Sequence, residues 1–192
     1  MNQVATASEL PVKGRGRWQL IGILMIVIGP MLLASAMYRW QFWVPEGRTY
    51  HGQLIGDGTQ LEALGVKAAE SGRWQILVTD DGNCASQCQK LVYLARQIQI
   101  GLNREADRAE HALAFSGELT SAYAEQLSQE YPQLKQLTLD AGRYQQAPTA
   151  DGQAALWLVD PHGNVVLRYD SASNGKAILD DLRYLLKVSV IG

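Results

Sequence analysis

The sequence predicts an α/β domain, with strands and helices in the order β-α-β-α-β-β-α, carried behind a single transmembrane helix. Three observations predict it. From Trp18 to Tyr38 no charged residue occurs, and at 1.5 Å per residue such a run crosses a hydrocarbon core of about 30 Å. After it, short apolar runs of strand length alternate with segments whose apolar residues recur at helical spacing, the pattern of a sheet covered by crossover helices. Near the end, two apolar runs flank Asp160-Pro161-His162-Gly163-Asn164, a turn composition that closes the sheet with a hairpin.

The organisation follows from the apolar run. Residues 1–17 form a polar segment ending in Lys13, Arg15 and Arg17; residues 18–38 are the anchor; 39–47 link it to a domain over 48–192. Trp18 at one end and Tyr38, Trp40, Phe42 and Trp43 at the other resemble an interfacial aromatic belt, and the basic residues ahead of the run place the N-terminus in the cytoplasm. The domain is then exported, and the reading is a single-pass protein of a bacterial inner membrane with its C-terminal domain in the periplasm. A cleaved signal peptide is the competing reading, since Ala34-Ser35-Ala36 fits a cleavage site and Pro30 a broken helix. Both readings export the domain. The formal net charge of -2 gives no footprint for nucleic acid.

Within the domain, Gly52–Leu61 reads as a hairpin turning at Asp57-Gly58, and Leu61–Ala69 as a short helix ended by Ser71-Gly72. Trp74–Thr79 is a buried strand and Asp80–Asn83 a polar turn. Leu91, Leu94, Ala95, Ile98 and Leu102 mark a helix; Glu110–Ser116 is the second strand, punctuated by Gly117; Glu118–Gln129 is the second helix. Leu134–Leu139 is a short edge strand or turn, and Ala141–Gln153 a polar loop with Pro148. Ala155–Val159 and Val165–Tyr169 are the hairpin strands. Ser173 or Asn174 caps a last helix, whose buried stripe is Ile178, Leu182, Leu185 and Leu186.

The candidate site is Cys84 and Cys88, the chain's two cysteines, at the junction of the Trp74 strand with the first helix. A strand's carboxyl end and a helix's free N–H groups meet there, which favours a thiolate. Read as i and i+4 on one helix face, their Cα atoms lie roughly 6 Å apart, within disulfide range. The pair can cycle between thiols and disulfide in an oxidising compartment. Asp80 and Asp81 oppose a thiolate by their charge, and no Lys or Arg lies between Arg73 and Lys90 to offset them. A static disulfide or two inert thiols is the bland alternative.

A cysteine pair after the first strand of this element order resembles the thioredoxin-like fold. Within it the chain resembles the Sco-type proteins, membrane-anchored assembly factors for the copper site of cytochrome c oxidase. The matching features are the anchor, the C-x3-C spacing of Cys84-Ala85-Ser86-Gln87-Cys88, the hairpin Leu156-Trp157-Leu158-Val159-Asp160-Pro161-His162-Gly163-Asn164-Val165-Val166 and the closing helix. The chain departs at Ala85 and Gln89, where that family usually has proline, and at Gly152, where alignment on the hairpin puts its copper-binding histidine. The resemblance implies an accessory factor for oxidase copper-site assembly working through Cys84 and Cys88. The partner it implies is the copper-site subunit of the oxidase or another assembly factor.

Of the three histidines, only His51, whose place in the lead-in the sequence leaves open, could supply the missing ligand. His111 and His162 fall at the sheet edge opposite the cysteines, about 17–20 Å away. His51 lies in the lead-in, and all 4 methionines, Met1, Met25, Met31 and Met37, precede the domain. Two thiolates alone suit Cu(I) better than Cu(II), so Cu(I) on Cys84 and Cys88 is the alternative function. A general exported thiol–disulfide oxidoreductase and a non-catalytic docking module are the others. Asp80 and Asp81 read as solvated turn residues that could weakly offer oxygen to a metal; Tyr93 and Arg96 read as packing and surface. No phosphate loop, zinc-protease helix or serine elbow occurs.

Overall fold

A computed structural model describes residues 15–40, 50–56, 58–67, 72–148, 150 and 152–189. It divides into two units, residues 1–49 and 50–192. The first holds helix α1, Arg15–Trp40, which contains a 21-residue apolar span, Arg17–Met37, long enough to cross a membrane. Phe42 and Trp43 of the aromatic belt lie outside the described residues.

The second unit holds, among its described residues, a six-stranded sheet. Its strands are β1 (Gln53–Leu54), β2 (Trp74–Asp80), β3 (Ala109–Phe115), β4 (Lys135–Thr138), β5 (Ala155–Val159) and β6 (Val165–Tyr169), in the order β1-β6-β5-β2-β3-β4. β2, β3 and β4 are parallel; β5 runs against β2, β6 against β5, and β1 against β6. Its helices are α2 (Ser86–Gly101), α3 (Ser121–Glu130), α4 (Ala141–Gln146) and α5 (Gly175–Val188).

β2 is buried on both faces, which is why it reads as a continuous apolar run rather than an alternating one. Its side chains still divide by parity. Ile76 and Val78 join one core with Leu113, Leu156, Leu158 and Leu167, whereas Leu77 joins a second with Ala112, Ala114, Trp157 and Val165. The crossovers β2-α2-β3 and β3-α3-β4 step the same way along the sheet. Right-handed connections therefore put α2 and α3 on one face, and α5 packs beside α2 on that face. The opposite face is covered by Tyr144 of α4 and by Leu61 and Leu64 of a 3-10 turn, Leu61–Leu64. α5 buries the expected stripe Ile178, Leu182, Leu185 and Leu186, each side chain contributing about 1.5–3 kcal/mol. Asn174 caps it by accepting the Lys176 N–H at 2.9 Å.

The lead-in differs from expectation. Gly52–Leu61 is not a hairpin: β1 pairs with β6, and Gln60 bridges Asn164. Both sides of the supposed hairpin find partners on the closing β5-β6 hairpin, so they need not pair with each other. Asp57 of its supposed turn lies outside the described residues. Of the helix expected over Leu61–Ala69, the described residues hold one 3-10 turn, stopped by Gly65 at φ 76, where a side chain would also strike the Asp140 carbonyl oxygen; Ala68 and Ala69 lie outside the described residues. The expected polar loop Ala141–Gln153 begins with α4, started by Asp140, whose carboxylate accepts the Arg143 N–H at 3.1 Å. Leu134–Leu139 resolves into β4, an edge strand.

One carboxylate ties the lead-in to the rest. Asp181 sits within the α5 stripe with no solvent exposure and accepts from Tyr169 Oη at 2.9 Å, the His51 N–H at 2.8 Å and the Gly52 N–H at 3.4 Å; His51 Nδ1 lies 3.0 Å from its other oxygen.

Candidate functional site

Cys84 and Cys88 are joined as a disulfide, with Cα atoms 5.0 Å apart. The two residues do not share a helix, contrary to the i, i+4 expectation. α2 begins at Ser86 behind Ala85, and Cys84 stands outside it with φ 55, a left-handed conformation that costs a side-chain-bearing residue about 1–2 kcal/mol. That turn folds Cys84 back over the first helical turn, where it meets Cys88. Both cysteines are 1% exposed and belong to the core under α2 and α5, so exchange with a partner requires the sulfurs to be uncovered.

The turn is built from its neighbours. The Asp80 carboxylate accepts the Cys84 N–H at 2.7 Å and the Gly82 N–H at 3.3 Å. The Cys84 carbonyl accepts from Gln89 Nε2 at 3.0 Å. From the adjacent strand end, the Gly117 N–H donates to the Gly82 carbonyl at 3.1 Å and the Ser116 hydroxyl to that of Asp81. A Cβ on Gly117 would stand 2.7 Å from the Gly82 oxygen, so only glycine permits this approach. Gln145 of α4 donates to the Asp81 carboxylate at 3.3 Å. The sequence reading of Asp80 as a solvated turn residue is thus incomplete, because its oxygen is engaged by the site's own backbone. α2 has no acidic residue in its first turn, and its unpaired N–H groups favour negative charge on reduced sulfur.

The histidines are placed by strand register. His162 lies in the β5-β6 turn at the opposite edge, as expected. His111 is the third residue of β3, level with Ile76, and so lies within the sheet rather than at its rim. Its buried ring engages the Gln99 side-chain oxygen through Nδ1, while Gln99 Nε2 donates to the Ala109 carbonyl at 2.8 Å. His51, just ahead of β1, is at the same edge as the cysteines, but β6 and β5 stand between, and three strand spacings separate it from β2 by about 14 Å. Its ring faces Asp181. Gly152 has φ 71 with open space around it. Pro148 follows a trans bond, and the residue directly ahead of β5 is Ala154, in the same core cluster as the cysteines. Among the described residues no three His, Cys, Asp or Glu side chains converge as a metal site.

Burial lowers the His111 pKa below its ordinary 6.5, with Arg96 adding to the effect and Glu110 opposing it. The folded state therefore binds fewer protons here than the unfolded chain. Stability is complete above about pH 6.5 and falls as the pH drops below it. Thermal melts at pH 7.5 and 5.5 are expected to show this loss, and His111→Gln should show less of it. An equal acid-side loss in the variant would mean that other groups cause it.

A mixed sheet with a disulfide where its first parallel strand feeds a helix defines a thioredoxin-like domain. Residues 74–189 match the family described as the transmembrane-like, thioredoxin-like, C-terminal domain, and residues 11–41 match the transmembrane-like, N-terminal domain. The chain belongs to this family. Among solved structures it is similar to yeast Sco1 with copper bound, at 18% identity over 63% of this chain and 82% of that one, with a TM-score of 0.49. It is similar also to ScoI of Arabidopsis thaliana with copper bound (17% identity, 62% and 86% covered, TM-score 0.44). A thiol:disulfide interchange protein from Bacteroides sp. is another (11% identity, 72% and 91% covered, TM-score 0.46). No curated protein matches the chain.

Proposed function

We propose that this protein is a membrane-anchored thiol–disulfide exchange factor of the periplasm, acting through Cys84 and Cys88 on the assembly of the cytochrome c oxidase copper site. The observation that carries the exchange chemistry is the disulfide at the β2–α2 junction, under the free end of a helix. The anchor and the C-x3-C resemblance support the location and the partner. In the step proposed, the reduced pair gives two electrons and two protons to a target disulfide. One thiolate attacks a target sulfur, the second resolves the mixed disulfide, and the target leaves with two thiols while Cys84 and Cys88 close.

Cu(I) is the second reading, as cargo rather than resident cofactor. Two soft sulfurs suit it once the disulfide is reduced. The third-ligand position of the resemblance is Gly152, and His51, His111 and His162 are held elsewhere, so the chain offers two sulfurs, with any third ligand coming from the recipient.

The test compares wild type, Cys84→Ser and Cys88→Ser. In glutathione buffers the wild type is expected to pass reversibly between disulfide and dithiol. Membranes carrying either variant should lose most oxidase activity. Unchanged oxidase activity in both variants would overturn the assembly role. Cu(I) retained by the reduced wild type against a competing chelator, and lost in Cys84→Ser, would move the reading to copper delivery.

A further inference from the structure

We propose that Asp80 is the positioning residue of the Cys84–Cys88 couple, its carboxylate holding the Cys84 backbone in the conformation in which the two sulfurs meet. This deepens the thiol-exchange reading and rests on it for its biological use. Cys84 is one of two described non-glycine residues with positive φ, the other being Asn103. A chain free to choose would leave that conformation. It is kept there from both sides of the residue: Asp80 Oδ2 takes the N–H at 2.7 Å, and Gln89 Nε2 binds the carbonyl at 3.0 Å. The same Asp80 oxygen takes the Gly82 N–H, and Gly82 is in turn fixed by Gly117.

None of these bonds involves sulfur, so breaking the disulfide leaves them in place. The dithiol then stays folded for closure, with less chain entropy to lose when the sulfurs rejoin. An ordinary helical C-x3-C has no such constraint on its first cysteine. Asp80 therefore favours the disulfide over the dithiol by geometry.

Its charge acts separately, against a thiolate on Cys84 and in opposition to the α2 dipole. The charged groups of the segments touching this turn are few. Asp81 is bound by Gln145; Glu118 follows Gly117; Arg143 of α4 pairs with Asp140; and Lys90 of α2 has its ammonium on the Ser171 carbonyl at 2.9 Å.

The two actions separate by substitution. Asp80→Asn keeps an acceptor oxygen and removes the charge, whereas Asp80→Ala removes both. The full chain in detergent would be equilibrated with oxidised and reduced dithiothreitol, quenched in acid, and its dithiol fraction counted by alkylation of the denatured protein. In each equilibrium dithiothreitol gives up two electrons and two protons and cyclises, and the protein disulfide becomes two thiols.

Asp80→Ala is expected to shift the equilibrium about tenfold toward the dithiol, because the untethered dithiol can leave the left-handed Cys84 conformation, worth about 1–2 kcal/mol, whereas the disulfide cannot. Asp80→Asn should recover most of that shift at pH 7, while its equilibrium responds to rising pH from a lower value than in wild type. Asp80→Ala within twofold of wild type would overturn the proposal, and so would Asp80→Asn shifting as far as Asp80→Ala. Failure of the exchange reading looks different: the wild type would stay oxidised at every glutathione ratio, while the alanine shift in dithiothreitol persisted.

Discussion

Trp157→Ala is expected to cost about 3–5 kcal/mol of unfolding free energy, enough to leave the domain marginal. Trp157 is in β5 with no solvent exposure, the largest of the fully buried side chains. The loss has two parts. Removing the indole empties space in the core between the sheet and α4, where Tyr144, Leu77 and Val165 belong to the same cluster. It also takes the first donor from a buried chain of hydrogen bonds. Trp157 Nε1 donates to Thr79 Oγ1 at 2.8 Å, Thr79 and Tyr144 hydroxyls share a bond of 2.8 Å, and Tyr144 donates to the Gln153 carbonyl at 3.3 Å. That chain pins the segment leading into β5 to the end of β2, beside the disulfide turn. Trp157→Phe refills most of the volume without the donor and should cost about half as much. Urea denaturation followed by circular dichroism decides it, and a loss below about 1 kcal/mol for the alanine variant would show that the site collapses to fill its own cavity.

Asp181→Ala should cost about 3 kcal/mol, because each buried donor left without an acceptor carries about 1–3 kcal/mol. Tyr169 Oη and the His51 N–H lose their partner outright. The His51 ring adds little, since its side chain is 54% exposed and water replaces the carboxylate. Burial, the largest cause that raises the Tyr169 hydroxyl pKa above its ordinary 10, remains in the variant, so ionising does not relieve the loss. Asp181→Asn keeps one acceptor and should recover part of the loss. Equal urea midpoints for wild type and Asp181→Ala would show that solvent reaches these groups.

The difference between what was legible in the sequence and what was not follows from the physics of each element. β2 declares itself by a run apolar on both faces, α2 and α5 by long 3.6-residue stripes, and β5-β6 by a turn that permits little else. α4 has a single buried residue, Tyr144, and a glycine at its second position, so no period can appear in six residues. β1 has two residues, and its partner is set by the long return of the chain rather than by a local turn. The cysteine pair was visible from its spacing and place, but the left-handed Cys84 was not, because nothing in Asn83-Cys84-Ala85 marks a positive φ. Asp181 left a readable trace: a carboxylate on the apolar stripe between Ile178 and Leu185 calls for partners inside the fold. Asp80 left none, since a carboxylate before a turn glycine looks the same whether it faces water or a backbone amide.

The pairing of β1 with β6 bears on the order in which the domain assembles. β2, β3 and β4 are joined by neighbouring crossovers and β5 to β6 by a tight turn, so these contacts close short loops early. β1 meets its partner only after nearly the whole domain has been traversed, and it is held by two paired residues, the adjoining Ile55 N–H on the Val166 carbonyl and one carboxylate. It is the strand to dock last and to open first. Amide hydrogens around Gln53 and Leu54 should therefore exchange through a local opening, long before those of β2 or β5, which are released only by global unfolding.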